Sequence, residues 1–295
     1  MLRPYACYTV SRMARQKLGQ HFLSDAGWRE KIARAIGVSE HSIGGARTGA
    51  AGSVWIEVGA GHGEMTRHLA ATGADVIAVE FDPSLAKRLH DLAAEYPNLT
   101  VVAADILETD IAALAAGRRV RLYGNLPYYI TSPILHHLFQ FADHLDEIHI
   151  VIQLEVAFRL AARPGTRDYG YLSVLTQYFS RPSLAMKIPP GAFRPPPEVA
   201  SALVSLRLPG ERAKLPPMDE SGLLDFVKLC FAQKRKTLLN NLRPIAEPEQ
   251  VRQELQRQSL RADSRAEQLS VAQFAALYST IGKGITTEFT ERADN

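Results

Sequence analysis

The stretch that decides the fold is "SVWIEVGAGHGEMTRHL", residues 53–69, where an apolar run meets three glycines and then a helical pattern. Gly59, Gly61 and Gly63 follow the predicted strand, and a helix is predicted to begin near Glu64. Glycines at such a turn let the backbone approach a ligand at the helix N-terminus. Because Glu64 stands where a dinucleotide fingerprint has its third glycine, the turn is a poor match to a pyrophosphate site.

Outward from this stretch, short apolar runs alternate with helical patterns. Strand-like runs lie at 75–80, 99–105, 120–125 and 147–153. Between the first two is "DPSLAKRLHDLAAEY", 82–96, in which Asp82 can cap a helix and Pro83 suits its first position. Strand, helix and strand at this spacing predict a mostly parallel sheet with helices on both faces.

The C-terminal part of the chain changes character. Two more strand-like runs, 184–188 and 201–208, are close enough to form a hairpin across a proline-rich connection. Nine of the 17 prolines lie between Pro182 and Pro217, which predicts a rigid connector and a domain boundary near 209–218. Beyond it, "SGLLDFVKLCFAQ" and "SVAQFAALYSTI" carry apolar residues at helical spacing, so a small helical domain is expected.

The composition is that of an ordinary globular protein, with 295 residues of which 46% are hydrophobic and 22% charged. Two cysteines exclude a disulfide framework, and the nine histidines lack Cys/His spacing of the zinc type, so no metal is expected. No apolar run reaches the roughly 18 residues of a membrane span, and the N-terminus lacks the apolar centre of a signal peptide. We therefore expect a cytoplasmic protein without a membrane partner.

Basic residues concentrate near both ends of the chain, although the net charge is only +3. No acid precedes Asp25, and this N-terminal stretch includes Lys17. A second stretch without acids follows Asp225 and contains the adjacent cations Lys234, Arg235 and Lys236. Two such stretches can converge on a polyanion, and the alternative is an ordinary solvated surface.

Three polar residues are predicted to share one edge of the sheet with Gly59. Glu80 ends the second strand, Asp105 follows the third and Asn125 ends the fourth. Ligands of open parallel sheets bind outside the carboxyl ends of the strands, so this coincidence predicts a binding site. Glycines against an amino-acid tail, Glu80 on ribose and Asp105 on an adenine amine suit a nucleoside without phosphates. S-adenosylmethionine fits this description better than NAD does.

The stretch "NLPYYITSPIL", 125–135, brings an amide, a proline and two tyrosines to this edge. The lone pair of an adenine amine is delocalised into the ring, so a catalyst must restore it. The side-chain oxygen of Asn125 and the backbone carbonyl of Leu126 can accept hydrogen bonds from the amine, which favours a tetrahedral, reactive nitrogen. Pro127 would stiffen the turn and Tyr128 would stack on a flipped base. The alternative is a strand-end turn with core tyrosines.

Six motifs between about residue 14 and residue 282 resemble the ribosomal RNA adenine dimethyltransferases, in particular the bacterial small-subunit enzymes that confer kasugamycin sensitivity. They are "QKLGQHFLSD" (16–25), "EVGAGHGEMT" (57–66), "NLPYYITSPI" (125–134), "DYGYLSVL" (168–175), "PGAFRPPPEVASALV" (190–204) and "FAQKRKTLLNNL" (231–242). The resemblance implies an α/β fold: a Rossmann-like class I methyltransferase domain with a mostly parallel seven-stranded sheet, and a small C-terminal all-α domain. It also implies dimethylation of two adjacent adenosines in a hairpin loop near the 3′ end of small-subunit (16S) rRNA, in a nearly assembled subunit.

The resemblance assigns roles to individual residues. Contacts with S-adenosylmethionine would come from His21, Leu23, Gly59, Glu80, Asp105 and Asn125, with Gly61 in the same turn as Gly59. The catalytic group would be Asn125, Leu126, Pro127 and Tyr128, with Phe193 as a second aromatic near the target base. Contacts with rRNA are predicted from the two basic stretches, at Lys17, Lys234, Arg235 and Lys236. The implied organisation is a monomer with a flexible basic leader (1–15), the methyltransferase domain (16–210), a helical RNA-binding domain (211–285) and a disordered tail (286–295).

Two positions depart from the family pattern. His21 stands where many members have asparagine, so its cofactor contact is expected through the backbone, and Tyr171 stands where a basic residue is common. Two rival functions remain: a large-subunit rRNA methyltransferase of the macrolide-resistance type, and a non-catalytic rRNA-binding assembly factor. "FAQKRKTLLNNL" favours the small-subunit group, and the intact Glu80, Asp105 and "NLPY" speak against a non-catalytic factor. An NAD-linked reductase is a more distant alternative.

Overall fold

The computed structural model of the chain describes residues 21–38 and 53–282. Its strands are Phe22–Leu23 (β1), Val54–Val58 (β2), Asp75–Glu80 (β3), Leu99–Ala103 (β4), Val120–Asn125 (β5), Leu145–Gln153 (β6), Arg181–Ile188 (β7), Phe193–Arg194 (β8) and Ser201–Arg207 (β9). Seven of them form one sheet in the order β4-β3-β2-β5-β6-β9-β7. Each of these seven strands coincides with one of the apolar runs in the sequence, so the predicted Rossmann-like sheet is confirmed.

The direction of the strands explains where a ligand can bind. Strands β4, β3, β2, β5 and β6 run parallel to their neighbours, and β9 runs antiparallel to β6. The chain adds β3 and β4 on one side of β2 and then returns to place β5 on the other side. Such a reversal leaves a crevice at the carboxyl ends of the strands, between β2 and its two neighbours.

Every residue of β2 is buried, as is typical of a strand in a parallel sheet that helices cover on both faces. The helices of this region are Ala26–Ala35 (α1), Glu64–Ala70 (α2), Pro83–Ala93 (α3), Ile111–Ala115 (α4), Thr131–Phe139 (α5) and Leu154–Ala161 (α6). The Asp82 side chain accepts hydrogen bonds from the backbone N–H groups of Ser84 and Leu85, so the predicted cap of α3 is confirmed. Trp55, Leu69 and Leu89 are fully buried in the core.

A small second sheet joins two distant parts of the chain. Strands β1 and β8 pair antiparallel, with Phe22 opposite Arg194 and Leu23 opposite Phe193. The backbone N–H groups of Ser24 and Asp25 both donate to the carbonyl of Ala192, over 3.0 and 3.2 Å. The proline-rich connection between β7 and β9 is therefore fixed against the segment that enters α1.

The chain divides into two compact units. The first is built from the described residues of Met1–Ala157 together with Pro182–Leu208, and the second from Phe158–Arg181 together with the described residues of Pro209–Asn295. The second unit thus includes Phe158–Arg181, a segment expected from the sequence to belong to the methyltransferase domain. Its helices are Tyr171–Phe179 (α7), Glu220–Phe231 (α8), Leu238–Asn241 (α9), Pro248–Arg257 (α10) and Val271–Ile281 (α11).

The apolar stripes predicted for the C-terminal helices form the core of the second unit. Helix α8 buries Phe226, Val227 and Cys230, and α11 buries Phe274 and Leu277. Within residues 21–38 and 53–282, no helix is both long and apolar enough to cross a membrane. The same residues contain no cluster of three or more His, Cys, Asp or Glu side chains that could hold a metal ion.

Candidate active site

A cavity lies at the carboxyl ends of β2, β3 and β5, where the sequence predicts a binding site. The predicted site residues that line it are His21, Gly59, Gly61, Glu80, Asp105, Asn125, Leu126, Pro127 and Tyr128. Phe22, Phe81 and Tyr129 complete its aromatic wall. The fold therefore brings together nine residues that are spread over more than one hundred positions of the sequence.

The glycine turn after β2 has a backbone that only glycine adopts without strain. Gly61 has a φ of +59° and Gly63 a φ of +81°, both in the left-handed region. A Cβ atom at Gly63 would lie 2.8 Å from Cδ2 of Leu92, so this glycine also lets α2 approach α3 closely. The predicted start of α2 at Glu64 is confirmed.

Glu80 connects the glycine turn to the end of β3. Its Oε2 accepts a hydrogen bond from the backbone N–H of Gly61 at 2.8 Å, and its Oε1 accepts one from the backbone N–H of Asp82 at 2.9 Å. Only 4% of the residue is exposed, so the carboxylate is buried, and two backbone donors hold it. Each oxygen keeps a further lone-pair direction, so the group can still accept from a hydroxyl in the cavity.

A second buried carboxyl, Glu57, lies on β2 behind this turn. The hydroxyl of Thr66, on α2, donates to its Oε2 at 2.6 Å. Burial raises the pKa of Glu57 to about 8, and the nearby charges of Glu80 and Glu64 act in the same direction, whereas the Thr66 hydrogen bond lowers it. Glu57 is therefore protonated and neutral at pH 7, which avoids two buried negative charges beside each other.

Asp105 begins a short 3-10 helix, Ile106–Glu108, just after β4. Its side chain accepts a hydrogen bond from the backbone N–H of Leu107 at 3.0 Å, which fixes the carboxylate at the wall of the cavity. A structural cap and a ligand contact are compatible here, because a carboxylate can accept several hydrogen bonds.

Asn125, the last residue of β5, has its amide orientation fixed by a neighbour. Its Nδ2 donates to the backbone carbonyl of His21 at 2.8 Å. Because the nitrogen is committed to a carbonyl, the oxygen Oδ1 is the side-chain atom that can accept from a ligand. The backbone carbonyl of His21 thus contacts Asn125, and the expected backbone contact of His21 with the cofactor stays a prediction.

Tyr128 begins the 3-10 helix Tyr128–Ile130 directly after Pro127. Its ring stacks on the His21 imidazole with centroids 5.5 Å apart and planes at 29°, and its hydroxyl lies 2.6 Å from Oγ of Ser201. Burial raises the pKa of Tyr128, while the hydrogen bond to Ser201 lowers it. The hydroxyl is therefore a neutral hydrogen-bonding group at physiological pH.

Two predicted site residues lie apart from the cavity lining. Leu23 and Phe193 face each other across the β1–β8 pair and are buried in the core, with 5% and 0% exposure. Their expected contacts with cofactor and target base stay predictions. Of the predicted RNA contacts, Lys17 lies outside the described residues, as do the predicted leader and tail.

The other predicted RNA contacts, Lys234, Arg235 and Lys236, form an exposed turn between α8 and α9 in the second unit. The ammonium group of Lys234 donates to the backbone carbonyl of Arg167 at 2.8 Å, so this cation has a structural partner. At the position where the family often has a basic residue, Tyr171 has the ammonium group of Lys228 5.8 Å from the centre of its ring. A cation therefore lies near this position, although it belongs to another helix.

Sequence reasoning did not assign roles to Glu57, Ser201 or Pro195. All three stand inside the motifs that carry the family resemblance, but a single acid or hydroxyl in an apolar strand gives no sign of its partner. The backbone oxygen of Pro195 lies 2.7 Å from Nδ1 of His21. A backbone acceptor of this kind leaves no trace in the sequence.

The chain is similar in sequence and in fold to known proteins. The family model for ribosomal RNA adenine dimethylase matches residues 11–283. A ribosomal RNA small subunit methyltransferase A from Koribacter versatilis (strain Ellin345) is 39% identical over 282 residues, covering 91% of this chain and 94% of that protein. Among solved structures, a dimethyladenosine transferase from Plasmodium falciparum has a TM-score of 0.70 at 21% identity, covering 88% of this chain and 96% of the other.

A second solved structure, the 23S rRNA methyltransferase ErmE, has a TM-score of 0.64 at 26% identity and covers 89% of this chain and all of the other. The family match extends over nearly the whole sequence, and it includes every described residue that lines the cavity. The chain belongs to the ribosomal RNA adenine dimethylase family.

Proposed function

We propose that this chain transfers methyl groups from S-adenosylmethionine to the exocyclic amines of two adjacent adenosines in a hairpin loop of small-subunit rRNA. The observation that carries the proposal is the amide of Asn125: its nitrogen is bound to the His21 carbonyl, and its oxygen is left to accept from an amine. Relatives named as small-subunit methyltransferases support the choice of subunit over the large-subunit alternative.

The cavity suits the methyl donor by the chemistry of its lining. S-adenosylmethionine supplies an electrophilic methyl group on a sulfonium when it is bound. A Cβ atom at Gly59 would lie 4.0 Å from the backbone oxygen of Asn125, so a side chain there would occupy cavity space that glycine leaves open. Glu80 and Asp105 would accept from ribose hydroxyls and the adenine amine, and Gly61 would pass beside the amino-acid tail.

Asn125 would act on the substrate amine in this way. A hydrogen bond from the amine to Oδ1 of Asn125, and another to the backbone carbonyl of Leu126, would draw the nitrogen toward tetrahedral geometry. That geometry is reached most fully in the transition state, so these acceptors would lower the barrier rather than merely bind substrate. Pro127, with φ −59°, would keep the two acceptors in a fixed relation.

Tyr128 would provide the face on which the flipped adenine stacks. One face of a base in a protein pocket is commonly covered by an aromatic ring, at about 1–3 kcal/mol per base. Tyr128 lines the cavity beside Asn125, and its ring is held by His21 and Ser201. Because its phenol is neutral, we assign it a stacking role and not that of a base.

The second unit would supply contacts with rRNA. Lys234, Arg235 and Lys236 are exposed on one turn, and Lys17 would add to them from the N-terminal stretch. We propose that the first unit holds the methyltransferase site and that the second unit, which combines Phe158–Arg181 with the C-terminal helices, is the RNA-binding domain. A single chain would act on nearly assembled small subunits in the cytoplasm, with a role in subunit maturation.

The test uses labelled S-adenosylmethionine and small ribosomal subunits that lack adenine methylation. After incubation, the rRNA is digested to nucleosides and analysed. We expect the label in dimethyladenosine, and stabilisation of the protein against heat by S-adenosylmethionine but not by NAD. Unlabelled adenosine from a protein that binds S-adenosylmethionine would favour the non-catalytic assembly factor instead.

A further inference from the structure

The hydroxyl of Tyr128, at the far end of its ring, is held by the hydroxyl of Ser201, a buried residue of the central sheet. Ser201 is the first residue of β9 and is fully buried, and its backbone is opposite Gln153 of β6 in the central sheet. Its Oγ lies 2.6 Å from the Tyr128 hydroxyl. The hydroxyl oxygen lies on the long axis of the tyrosine ring, so a short contact there restrains rotation about the Cα–Cβ bond and fixes where this axis points. Rotation about the Cβ–Cγ bond does not move the hydroxyl oxygen and is opposed instead by the stacked His21 ring.

The same segment of chain also supports the near side of the ring. His21 stacks on Tyr128, and Nδ1 of His21 lies 2.7 Å from the backbone oxygen of Pro195. The carbonyl of His21 accepts from Nδ2 of Asn125. Pro195 directly follows β8 and Ser201 begins β9, so the chain from β8 to β9 contacts Tyr128 directly and Asn125 through His21.

We propose that Ser201 is a positioning residue for methyl transfer, which fixes the position of the far end of the Tyr128 ring through the hydroxyl pair so that the target adenine stacks in a reactive position. This inference rests on the proposed function. Small displacements of a reacting group are costly, because the methyl transfer needs its atoms aligned at near-contact distance. The Tyr128 hydroxyl thus matters for catalysis although it does not react.

A purely structural role for Ser201 makes different predictions. If its hydroxyl only satisfies a buried hydrogen bond, removing it lowers stability and leaves the activity of the folded enzyme unchanged. If it positions Tyr128, the loss appears in kcat/KM, and the loss depends on whether Tyr128 still has its hydroxyl. A double-mutant cycle separates these outcomes.

The experiment compares the wild-type chain with Ser201→Ala, Tyr128→Phe and the double variant, using small ribosomal subunits without adenine methylation and labelled S-adenosylmethionine. We expect each single variant to lower kcat/KM about three- to tenfold, the range of one hydrogen bond. The double variant should fall no further than the single variants, and the ratio of mono- to dimethyladenosine should rise in all three. Affinity for S-adenosylmethionine should change less than about twofold, since the pair does not contact the glycine turn or Glu80.

A matched control is available on the same strand. Ser205, also on β9, is buried and lies 2.9 Å from Nδ1 of His149, away from the cavity lining. Ser205→Ala should leave kcat/KM at the wild-type value, whereas Ser201→Thr, which keeps a hydroxyl, should recover part of the loss. The thermal unfolding midpoint of each variant shows whether it is folded at the assay temperature, and kcat/KM is calculated for the folded protein.

The inference would be overturned if the loss of kcat/KM in the double variant equalled the product of the two single losses. A wild-type kcat/KM in both single variants would also overturn it. An equal loss in Ser205→Ala would also overturn it, because the effect would then belong to the strand. If the wild-type chain itself transferred no methyl group, the proposed function would fail and the inference with it. An active wild type with uncoupled variants would refute the positioning role alone.

Discussion

At the scale of the residue, the nitrogen and the oxygen of the Asn125 side-chain amide have different roles. Asn125 donates through Nδ2 to the His21 carbonyl, and Oδ1 is the side-chain atom that we propose accepts from the substrate amine. The sequence predicts Asn125 because an amide at a strand end beside proline and tyrosine is an unusual combination. It does not predict the bond to His21, because the two residues are 104 positions apart and the partner atom belongs to the backbone.

The first prediction concerns these two roles of the Asn125 amide. Asn125→Ala removes both bonds and should lower kcat by about 100-fold or more, the usual loss when a preorganised hydrogen-bonding group is removed. Asn125→Asp keeps an acceptor but turns a carboxylate oxygen toward the His21 carbonyl, so its kcat should fall between wild type and alanine. The measurement is kcat on small subunits at saturating S-adenosylmethionine.

The two methylations should also suffer unequally in Asn125→Ala. After the first transfer the amine has one hydrogen left, so the second transfer depends on fewer hydrogen bonds and a bulkier group. We therefore expect a changed ratio of mono- to dimethyladenosine by mass spectrometry of digested rRNA. Near-normal dimethylation by Asn125→Ala would refute the role given to this amide.

At the scale of the element, the strand and helix that flank the glycine turn are joined by a buried polar pair. Glu57 of β2 accepts from the hydroxyl of Thr66 on α2. The strands and the start of α2 are predictable because apolar runs and glycines are local signals. The pairing of β1 with β8 is not, since it joins segments about 170 residues apart, each only two residues long.

The second prediction follows from the pKa of Glu57. Burial raises it to about 8 in the folded protein, against 4.5 for the ordinary carboxyl. Between these pH values the folded state binds more protons than the unfolded state, so the free energy of unfolding falls as the pH rises, by at most about 1.4 kcal/mol per pH unit. Glu57→Gln keeps an acceptor for Thr66 and should remove this fall.

Urea unfolding of wild type and Glu57→Gln at pH 5, 6, 7 and 8 measures the difference. The free energy of unfolding of Glu57→Gln should rise relative to that of the wild type with each increase in pH. Most of this relative increase should be present by pH 8. Thr66→Ser keeps the hydroxyl and should retain the wild-type pH dependence. If the difference in free energy of unfolding between wild type and Glu57→Gln stays constant from pH 5 to pH 8, Glu57 is ionised in the folded state.

The third prediction concerns the exposed turn between α8 and α9. Arg235→Ala with Lys236→Ala should weaken binding to small subunits and flatten its salt dependence, by roughly 0.7–0.9 in the log–log slope for each phosphate that is no longer neutralised. Affinity for S-adenosylmethionine should not change. Lys234 is kept in this variant because its ammonium group also holds the Arg167 carbonyl.

The control removes two cations that already have acidic partners. Lys214 pairs with Glu211 at 2.7 Å and Arg252 with Glu249 at 3.1 Å, and both cations belong to the second unit. Lys214→Ala with Arg252→Ala changes the net charge by the same amount and should leave the salt slope near wild type. A slope that responds equally to both double variants would make Arg235 and Lys236 ordinary surface cations.

At the scale of the whole molecule, the sequence predicts the class of fold better than it predicts how the chain divides into two units. The alternation of apolar runs and helical patterns is enough for a parallel sheet, and the motifs spread over the chain are enough for the family. The second unit, however, combines Phe158–Arg181 with the C-terminal helices. Segments that are distant in sequence share this core, and a boundary read from proline content alone does not reveal that.

The most direct measurement supplies small and large ribosomal subunits together, both without adenine methylation, with labelled S-adenosylmethionine. Each rRNA is then separated, cut into fragments and analysed by mass spectrometry. The wild-type chain should produce two adjacent dimethyladenosines in a hairpin loop of the small-subunit rRNA, and Asn125→Ala should produce little of either. Dimethyladenosine in the large-subunit rRNA, or none in either rRNA, would contradict the function proposed for this chain.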